Sequence, residues 1–139
     1  MSVMLTTVEM KSDILEHTRQ NESVKKAIIV ADSVRLIESL RAVLRSIDDI
    51  SVIDTASDSA LGIMMVRENH PDLVFLNFTH SVESSTDFIK LVKQDASISK
   101  CIALVEDTDQ IRKARKAGAD GILLRGFSLA ELHEQIRNI

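Results

Sequence analysis

The residue whose type and place bear most directly on chemistry is Asn77, which comes at the end of the apolar stretch PDLVFLNF at residues 71 to 78. A Pro-Asp pair starts this stretch and four apolar residues follow, a pattern that predicts a buried strand with one polar side chain emerging at its end. In an open parallel α/β sheet, ligands and reacting groups lie at the carboxyl ends of the strands. Position 77 is therefore predicted to lie in the functional crevice, and it holds an amide where an acid would do more chemistry.

Other catalytic constellations are missing from the sequence. It contains no metal-spaced Cys/His cluster, no nucleophile elbow, and no carboxylate pair at the predicted strand ends that could act as general acid and base. The turn after the first predicted strand, ADSVRLIES, has no glycine and so offers no phosphate-cradling loop. We therefore predict that the chain is no enzyme and has no cofactor. A flavodoxin-like ligand-binding protein is a lesser alternative, which a coloured purified protein would support.

Length and composition limit the remaining classes. The 139 residues suit one domain with a real core, and the formal charge of −4 argues against a nucleic-acid binder. The single cysteine, Cys101, cannot form an internal disulfide, which suits a reducing cytosol. No apolar run approaches the roughly 18 residues that span a bilayer, and the first residues lack a signal-peptide pattern. We expect a cytoplasmic protein that binds neither nucleic acid nor membrane.

Strand and helix patterns alternate along the chain from Lys25. Strands are predicted at 27–30, 51–56, 71–78, 101–105 and 121–125, and helices at 36–47, 60–69, 87–94, 109–117 and 128–139, with a polar loop at 79–85. Gly118 is predicted to end the fourth of these helices in a left-handed conformation, and Ser128 with Glu131 to start the last one. Because each parallel link needs a right-handed crossover, this order predicts a parallel sheet covered by helices on both faces.

The first 24 residues form a separate part in this interpretation. Thr6 and Glu9 have the spacing of a capping box and predict one short amphipathic helix, followed by a polar linker, RQNES, at 19 to 23. We therefore divide the chain into an N-terminal extension, 1–24, and one α/β domain, 25–139. The sequence stops where the fifth helix of that domain ends, so we expect no output domain after it.

Three stretches resemble a known family. PDLVFLN at 71–77, AGADGILLR at 117–125 followed by Phe127, and IIVADS at 28–33 are similar, in their order and spacing, to the receiver domains of two-component response regulators. The resemblance covers about 25 to 139 and implies a flavodoxin-like (βα)5 three-layer sandwich with sheet order 2-1-3-4-5. A working receiver takes a phosphoryl group from a histidine kinase onto an aspartate at the end of its third strand, aided by Mg²⁺, a lysine and a hydroxyl.

The resemblance implies that most of this machinery is altered here. The nucleophile's position is Asn77, whose amide cannot form an acyl phosphate, and the acid pair becomes Ala31 and Asp32. The hydroxyl position is Val105, and the lysine position is Arg125, which differs in reach and geometry. We interpret the chain as a pseudo-receiver with a degenerate phosphoacceptor pocket.

Some roles in that pocket stay open. Mg²⁺ would have Asp32, the Asn77 amide oxygen and the Thr79 carbonyl as ligands, so we expect weak binding or none. Asp32 either binds a cation or forms a partly buried ion pair with Arg125. Asn77 either binds a small ligand or forms a hydrogen bond across the pocket. The two switch positions implied by the resemblance, Val105 and Ile122, are both apolar and could freeze one state.

The predicted function is signal transduction through protein partners without phosphorylation. A kinase, a phosphotransfer domain or a downstream target is the expected partner, and a homodimer is a further possibility; a phosphorelay receiver with a residual phosphate- and Mg²⁺-responsive switch is the alternative. The predicted fourth helix is rich in basic residues: Arg112, Lys113, Arg115 and Lys116. They either form a partner face, on the surface that the resemblance marks as the usual output and dimerisation site, or an ordinary solvated helix balanced by Glu106, Asp107 and Asp109.

Overall fold

The computed structural model describes residues 24–78, 82–95 and 99–139, and within them one parallel sheet is flanked by helices on both faces. The strands are β1 (Lys25–Val30), β2 (Ile50–Ala56), β3 (Leu73–Asn77), β4 (Lys100–Val105) and β5 (Gly121–Leu124). The helices are α1 (Val34–Arg45), α2 (Ser59–Asn69), α3 (Val82–Asp95), α4 (Thr108–Ala117) and α5 (Leu129–Arg137). The strand order β2-β1-β3-β4-β5 confirms the predicted flavodoxin-like fold. The predicted N-terminal helix and the linker at 19–23 lie outside the described residues.

The three inner strands, β1, β3 and β4, are apolar because both of their faces are covered. Side chains alternate between the two faces, so each strand contributes to two separate cores. One core lies under α2, α3 and α4 and includes Ile28, Val74 and Phe88. The other lies under α1 and α5 and includes Ile29, Phe75, Leu40 and Leu132. This arrangement fixes the carboxyl ends of β1, β3, β4 and β5 side by side at one edge of the molecule.

The helix ends follow local chemistry. Four helices have a Ser or Asp N-cap whose side chain accepts the backbone N–H three residues later: Ser33, Asp58, Asp107 and Ser128. The predicted start of the last helix at Ser128 is confirmed, with the Glu131 N–H donating to Ser128 Oγ at 3.1 Å. The left-handed end of α4 at Gly118 is also confirmed, with φ of 110°.

Helix α3 begins earlier than the sequence pattern indicated. The predicted polar loop at 79–85 is wrong in its last part, because α3 starts at Val82 and its first turns are built from the polar residues Glu83, Ser84 and Ser85. Polar residues are tolerated at a helix start, where backbone N–H groups still need partners, so a count of apolar periodicity misses them. None of the described helices is long and apolar enough to cross a membrane.

Gly62, in the interior of α2, has a packing reason. A Cβ at this position would lie 2.9 Å from Phe88 Cε2 and 2.9 Å from Val30 Cγ2. The absence of a side chain therefore lets α2 approach both β1 and α3 closely, which outweighs the cost of about 1 kcal/mol that glycine brings to a helix.

Candidate functional site

Asn77 is the last residue of β3, and the strand beside it holds it in place. Its Cα is paired with Leu104 of β4, and the Phe78 N–H donates to the Leu104 carbonyl at 2.8 Å. Asn77 is half-buried, and within the described residues its side-chain amide makes no hydrogen bond. It lines two different cavities at the carboxyl edge of the sheet. The amide is therefore the one side chain common to both.

The smaller of these, which we call the polar cavity, has a volume of about 170 Å³. It lies where β1 and β3 end and α2 and α3 begin, and its lining includes two residues predicted from the sequence, Ala31 and Asp32. Ala31 is buried at 4 % exposure, whereas Asp32 is exposed. The cavity also has a hydroxyl-rich wall that sequence reasoning missed, made of Ser57, Ser59, Ser84 and Ser85.

Asp58 is a second carboxylate in the polar cavity that the sequence analysis missed. Its Oδ1 accepts the Leu61 N–H at 2.8 Å, so the carboxylate serves as the N-cap of α2. A signal for it was available, because Asp58 lies two residues after the end of β2 and directly before a helix, so it comes at the same carboxyl edge of the sheet as Asn77.

The larger space, which we call the apolar cavity, has a volume of about 360 Å³. Its apolar wall comes from α1, β4, β5 and the segment after β5: Leu36, Leu104, Val105, Leu123 and Phe127. The remaining lining residues are Ser33, Asn77, Glu106, Arg125 and Gly126. Val105 is 1 % exposed and offers no hydrogen-bonding group. The structure thus brings Asn77, Val105 and Arg125 to one cavity, and Asn77, Ala31 and Asp32 to the other.

Arg125 turns towards β4 and solvent. Its backbone N–H donates to the Val105 carbonyl at 2.8 Å, and its Nη1 lies 3.6 Å from Glu106 Oε1. The two side chains are 79 % and 61 % exposed. The partly buried pair with Asp32 that we considered from the sequence is therefore wrong, since both Asp32 and Arg125 are exposed and Arg125 pairs with Glu106. The next residue, Gly126, has φ of 86°, a backbone conformation that favours glycine.

The described side chains of the polar cavity that carry a carboxylate or amide oxygen for Mg²⁺ are Asp32, Asp58 and Asn77. This ion prefers six oxygen ligands that include one or two carboxylates and several waters. Asp58 already accepts a backbone N–H, Asn77 brings an uncharged amide, and the Thr79 carbonyl lies outside the described residues. In the described part of the chain, no three His, Cys, Asp or Glu side chains are grouped so that they could hold a metal ion. Asp32 and Asp58 are the two carboxylates that line the polar cavity, and both are exposed.

Val105 and Ile122 lie on the same face of the sheet. Val105 belongs to the core under α2, α3 and α4, and Ile122 packs against that core from β5. Ile122 is half-buried, and its backbone N–H donates to the Gln135 side chain of α5 at 3.1 Å. Neither side chain can form a hydrogen bond, so their contacts in this face are those of packing alone.

The family model of the response regulator receiver domain matches residues 27–137. The chain belongs to this family. A curated relative of this receiver is the chemotaxis protein CheY of Halobacterium salinarum, 26 % identical over 118 residues, or 83 % of this chain and 96 % of that protein. Another is the transcriptional regulatory protein LnrK of Bacillus subtilis, 28 % identical over 105 residues, which cover 74 % of this chain and 48 % of LnrK. The matched region thus spans about half of LnrK.

Solved receiver structures share the fold. The receiver domain of the putative response regulator NarL from Mycobacterium tuberculosis matches with a TM-score of 0.75 at 15 % identity, covering 84 % of this chain and 95 % of that one. The response regulator domain of Thermotoga maritima CheB matches with a TM-score of 0.71 at 21 % identity, covering 82 % and 94 %. The protein is therefore a receiver domain of two-component signalling, a class of domain that works through protein partners.

The basic helix of this receiver is α4, and two of its four cations share one carboxylate, Asp109. Asp109 forms ion pairs with Lys113, at 2.8 Å, and with Arg112. The Lys113 hydrogen bond, followed by that of Arg112, lowers the pKa of the Asp109 carboxyl from its ordinary value. Arg115 and Lys116 are exposed and make no ion pair with any described residue. The cations of the predicted partner face that have no described ion-pair partner thus lie in the last turn of α4.

Proposed function

We propose that this receiver domain acts in two-component signalling by phosphorylation-independent contact with protein partners, as a pseudo-receiver. The observation that carries the proposal is the amide of Asn77 at the carboxyl end of β3, the position where a working receiver has its phosphoacceptor carboxylate. An amide nitrogen shares its lone pair with the carbonyl, and the oxygen carries no full negative charge. Attack on a phosphoryl group would therefore lack the nucleophile that it requires.

Two neighbours of Asn77 support the same interpretation. Val105 is buried at the end of β4 and has no hydroxyl with which to capture a phosphoryl oxygen. Arg125 is exposed and pairs with Glu106, so its charge is partly engaged away from Asn77. Electrostatic stabilisation of a phosphoryl transition state needs donors already aimed at the developing charge. These residues do not supply such a set, and we propose that the domain does not turn over acyl phosphates.

We further propose that Mg²⁺ binds this site weakly or not at all, because the amide of Asn77 is a weaker ligand than an acid and the Asp58 carboxylate of the same cavity already accepts the Leu61 N–H. With Val105 and Ile122 apolar, the two positions that would report phosphorylation have no hydroxyl to move. Phosphorylation would then have no means of switching the surface that the domain presents. The cytoplasm, where the lone buried Cys101 stays reduced, is the compartment that we propose.

The proposed partner is a kinase, a phosphotransfer domain or a downstream target that brings acidic residues to the last turn of α4. Arg115 and Lys116 are exposed in that turn, which precedes the start of β5. Two exposed apolar side chains, Leu124 and Leu129, at 44 % and 49 % exposure, lie at the end of β5 and the start of α5, towards the opposite edge of the sheet. Exposed apolar patches are typical of protein contact sites, so a partner that covers both would span this side of the domain. A second copy of the chain is another partner that this surface could accept.

An NMR titration tests the proposal. Mg²⁺ is added first and beryllofluoride second, while the backbone amides of Asp32, Asn77, Phe78 and Arg125 are followed, with Asn77→Asp as the matched control that restores a carboxylate. We expect no saturable shift in the natural sequence at millimolar ligand and a clear shift in the variant. Joint shifts of these amides and of residues 108–137 in the natural sequence would instead support the residual phosphate-responsive switch.

A further inference from the structure

We propose that the apolar cavity beside Asn77 binds a small organic monocarboxylate with an apolar body. This inference rests on the proposed function, because it needs an Asn77 side chain that carries no phosphoryl group. The ligand would take the place of phosphorylation as the chemical input of the domain. Nothing in a phosphoryl-accepting site requires the five-residue apolar wall of this cavity. Such a wall suits a ligand with an apolar body.

The cavity has the size and lining of a ligand site. Small-molecule pockets usually begin at roughly 300 Å³ and are lined mostly by apolar side chains with a few polar groups that fix orientation. Here about 360 Å³ is enclosed by side chains from four parts of the fold, with Leu36 and Phe127 only half-buried. A ligand with an apolar body would remove these two side chains from water, which favours binding.

Two donors at this cavity are available to a carboxylate. The Asn77 amide makes no hydrogen bond with any described residue and can donate through its NH₂ group. The Arg125 guanidinium has five N–H donors, and its ion pair with Glu106 is long, at 3.6 Å, and largely exposed. A carboxylate is the group that a guanidinium binds best in planar geometry. Ser33 adds little, because its Oγ already accepts the Leu36 N–H at 3.2 Å.

The charges at the rim favour one negative charge over two. Glu106 lies on the same rim and opposes any anion, and Arg125 is the one cation among the residues that line the cavity. A phosphate dianion would double both the repulsion from Glu106 and the attraction to Arg125, but its larger desolvation cost would be offset by no hydrogen bond from the Val105 and Leu104 side chains. A monocarboxylate pairs its single charge with Arg125 and places its apolar part against Leu104, Leu123 and Phe127.

The test uses two probes of the same shape, 4-phenylbutanoate and the neutral 4-phenylbutanamide. Each is titrated into the full chain while the amides of Leu104, Leu123, Gly126 and Phe127 are followed by NMR. We expect saturable shifts with the carboxylate at about millimolar concentration, the range for a ligand of this size, and several-fold weaker binding of the amide.

Three variants separate the carboxylate contact from general binding. Because hydrogen bonds to charged groups are strong, Arg125→Gln should weaken the carboxylate about tenfold and leave the amide unchanged. Glu106→Gln should strengthen the carboxylate, since it removes the opposing charge. Arg137→Gln, at an exposed arginine of α5 that does not line the cavity, is the matched control and should change the affinity for neither probe.

The result that would overturn the inference is the absence of saturable shifts for both probes at ten times the expected concentration range. Equal affinity for the two probes, unaffected by Arg125→Gln, would equally overturn the assignment of a carboxylate. Intact-mass analysis after incubation with acetyl phosphate distinguishes the two proposals. A phosphorylated natural chain would sink the proposed function, whereas an unmodified chain that binds neither probe would sink this inference alone.

Discussion

The Lys93 ammonium of α3 lies 2.9 Å from the Asp120 carboxylate, just before β5, in an ion pair whose side chains are only 25 % and 20 % exposed. Asp120 also accepts the Cys101 N–H at 2.8 Å, and Lys93 also donates to the Ser99 carbonyl at 3.3 Å. The pair thus ties α3 to the starts of β4 and β5, at the edge of the sheet opposite to Asn77. It was not predicted from the sequence.

We expect Lys93→Met to lower the free energy of unfolding by about 1–2 kcal/mol, because it leaves the Asp120 carboxylate partly buried without its cation. Urea denaturation measures the change. The matched control is Arg67→Met, which removes the ion pair with Asp95 at 2.6 Å, where the side chains are 57 % and 39 % exposed. An exposed pair of this kind contributes about 0.5 kcal/mol. Equal losses in the two variants would contradict a special role for Lys93.

Gly62→Ala should destabilise the domain by about 1–3 kcal/mol, although alanine is the better helix former, because the new methyl group would collide with Phe88 and Val30. Denaturant midpoints provide the measurement. Adding Val30→Ala to Gly62→Ala should recover part of the loss, since it makes room for the methyl group. A stabilised Gly62→Ala variant would show that the approach of α2 to β1 is looser than described.

The Cys101 thiol should be unreactive in the folded protein. Burial, followed by the Asp120 charge, raises its pKa to about 12, and the thiolate is the form that reacts with alkylating reagents. We expect negligible modification by iodoacetamide at pH 8 in native buffer and rapid modification in urea. Rapid reaction of the native protein would contradict the burial of Cys101 at 0 % exposure.

The same thiol makes stability fall at high pH. The native thiol keeps its proton up to about pH 12, while the unfolded one releases it near the ordinary pKa of 9.0. The unfolded state therefore binds fewer protons between these values, and the free energy of unfolding decreases as pH rises through this window. Below pH 9 the contribution is complete. Cys101→Ala should show a shallower decline than the natural chain in urea titrations, and identical slopes would contradict the raised pKa.

Asp109 gives a local test of the charge balance on α4. Its pKa is lowered chiefly by the Lys113 hydrogen bond and next by Arg112, so Lys113→Met should raise it towards the ordinary value of 3.8. Carboxyl ¹³C shifts measured during an acid titration report the change. Arg115→Met, on the same helix without a pair to Asp109, should leave the titration as it was. An Asp109 pKa that does not respond to Lys113→Met would show that this pair is not maintained in solution.

Most of the fold was predictable because its signals are local. The apolar runs of β1, β3 and β4 and the caps Ser128 and Gly118 depend on neighbours within a few residues. The start of α3 at Val82 could not be predicted, because Glu83, Ser84 and Ser85 carry no apolar periodicity. Leu91, apolar like Phe88, Ile89 and Val92 on the same helix, is 39 % exposed, whereas those three are buried. This part of α3 carries more apolar residues than can face the core at the same time.

The site was predictable in its residues and less so in their partners. Asn77 was found because it follows a buried strand, and the resemblance to receivers led to Val105 and Arg125. The pairing of Arg125 with Glu106 depends on where two exposed side chains settle, which no spacing in the sequence determines. The apolar cavity required the packing of Leu36 and Phe127 from distant parts of the chain, so only the three-dimensional arrangement shows it.

Phosphorylation at position 77 is the central question, and intact-mass spectrometry after incubation with acetyl phosphate and Mg²⁺ answers it most directly. The natural chain and Asn77→Asp are treated in parallel, together with a receiver domain that has an aspartate at this position. Because an amide cannot form an acyl phosphate, the natural chain is predicted to keep its mass while the aspartate-bearing receiver gains one phosphoryl group. A stable gain of one phosphoryl group by the natural chain, lost on treatment with hydroxylamine, would contradict the pseudo-receiver proposal.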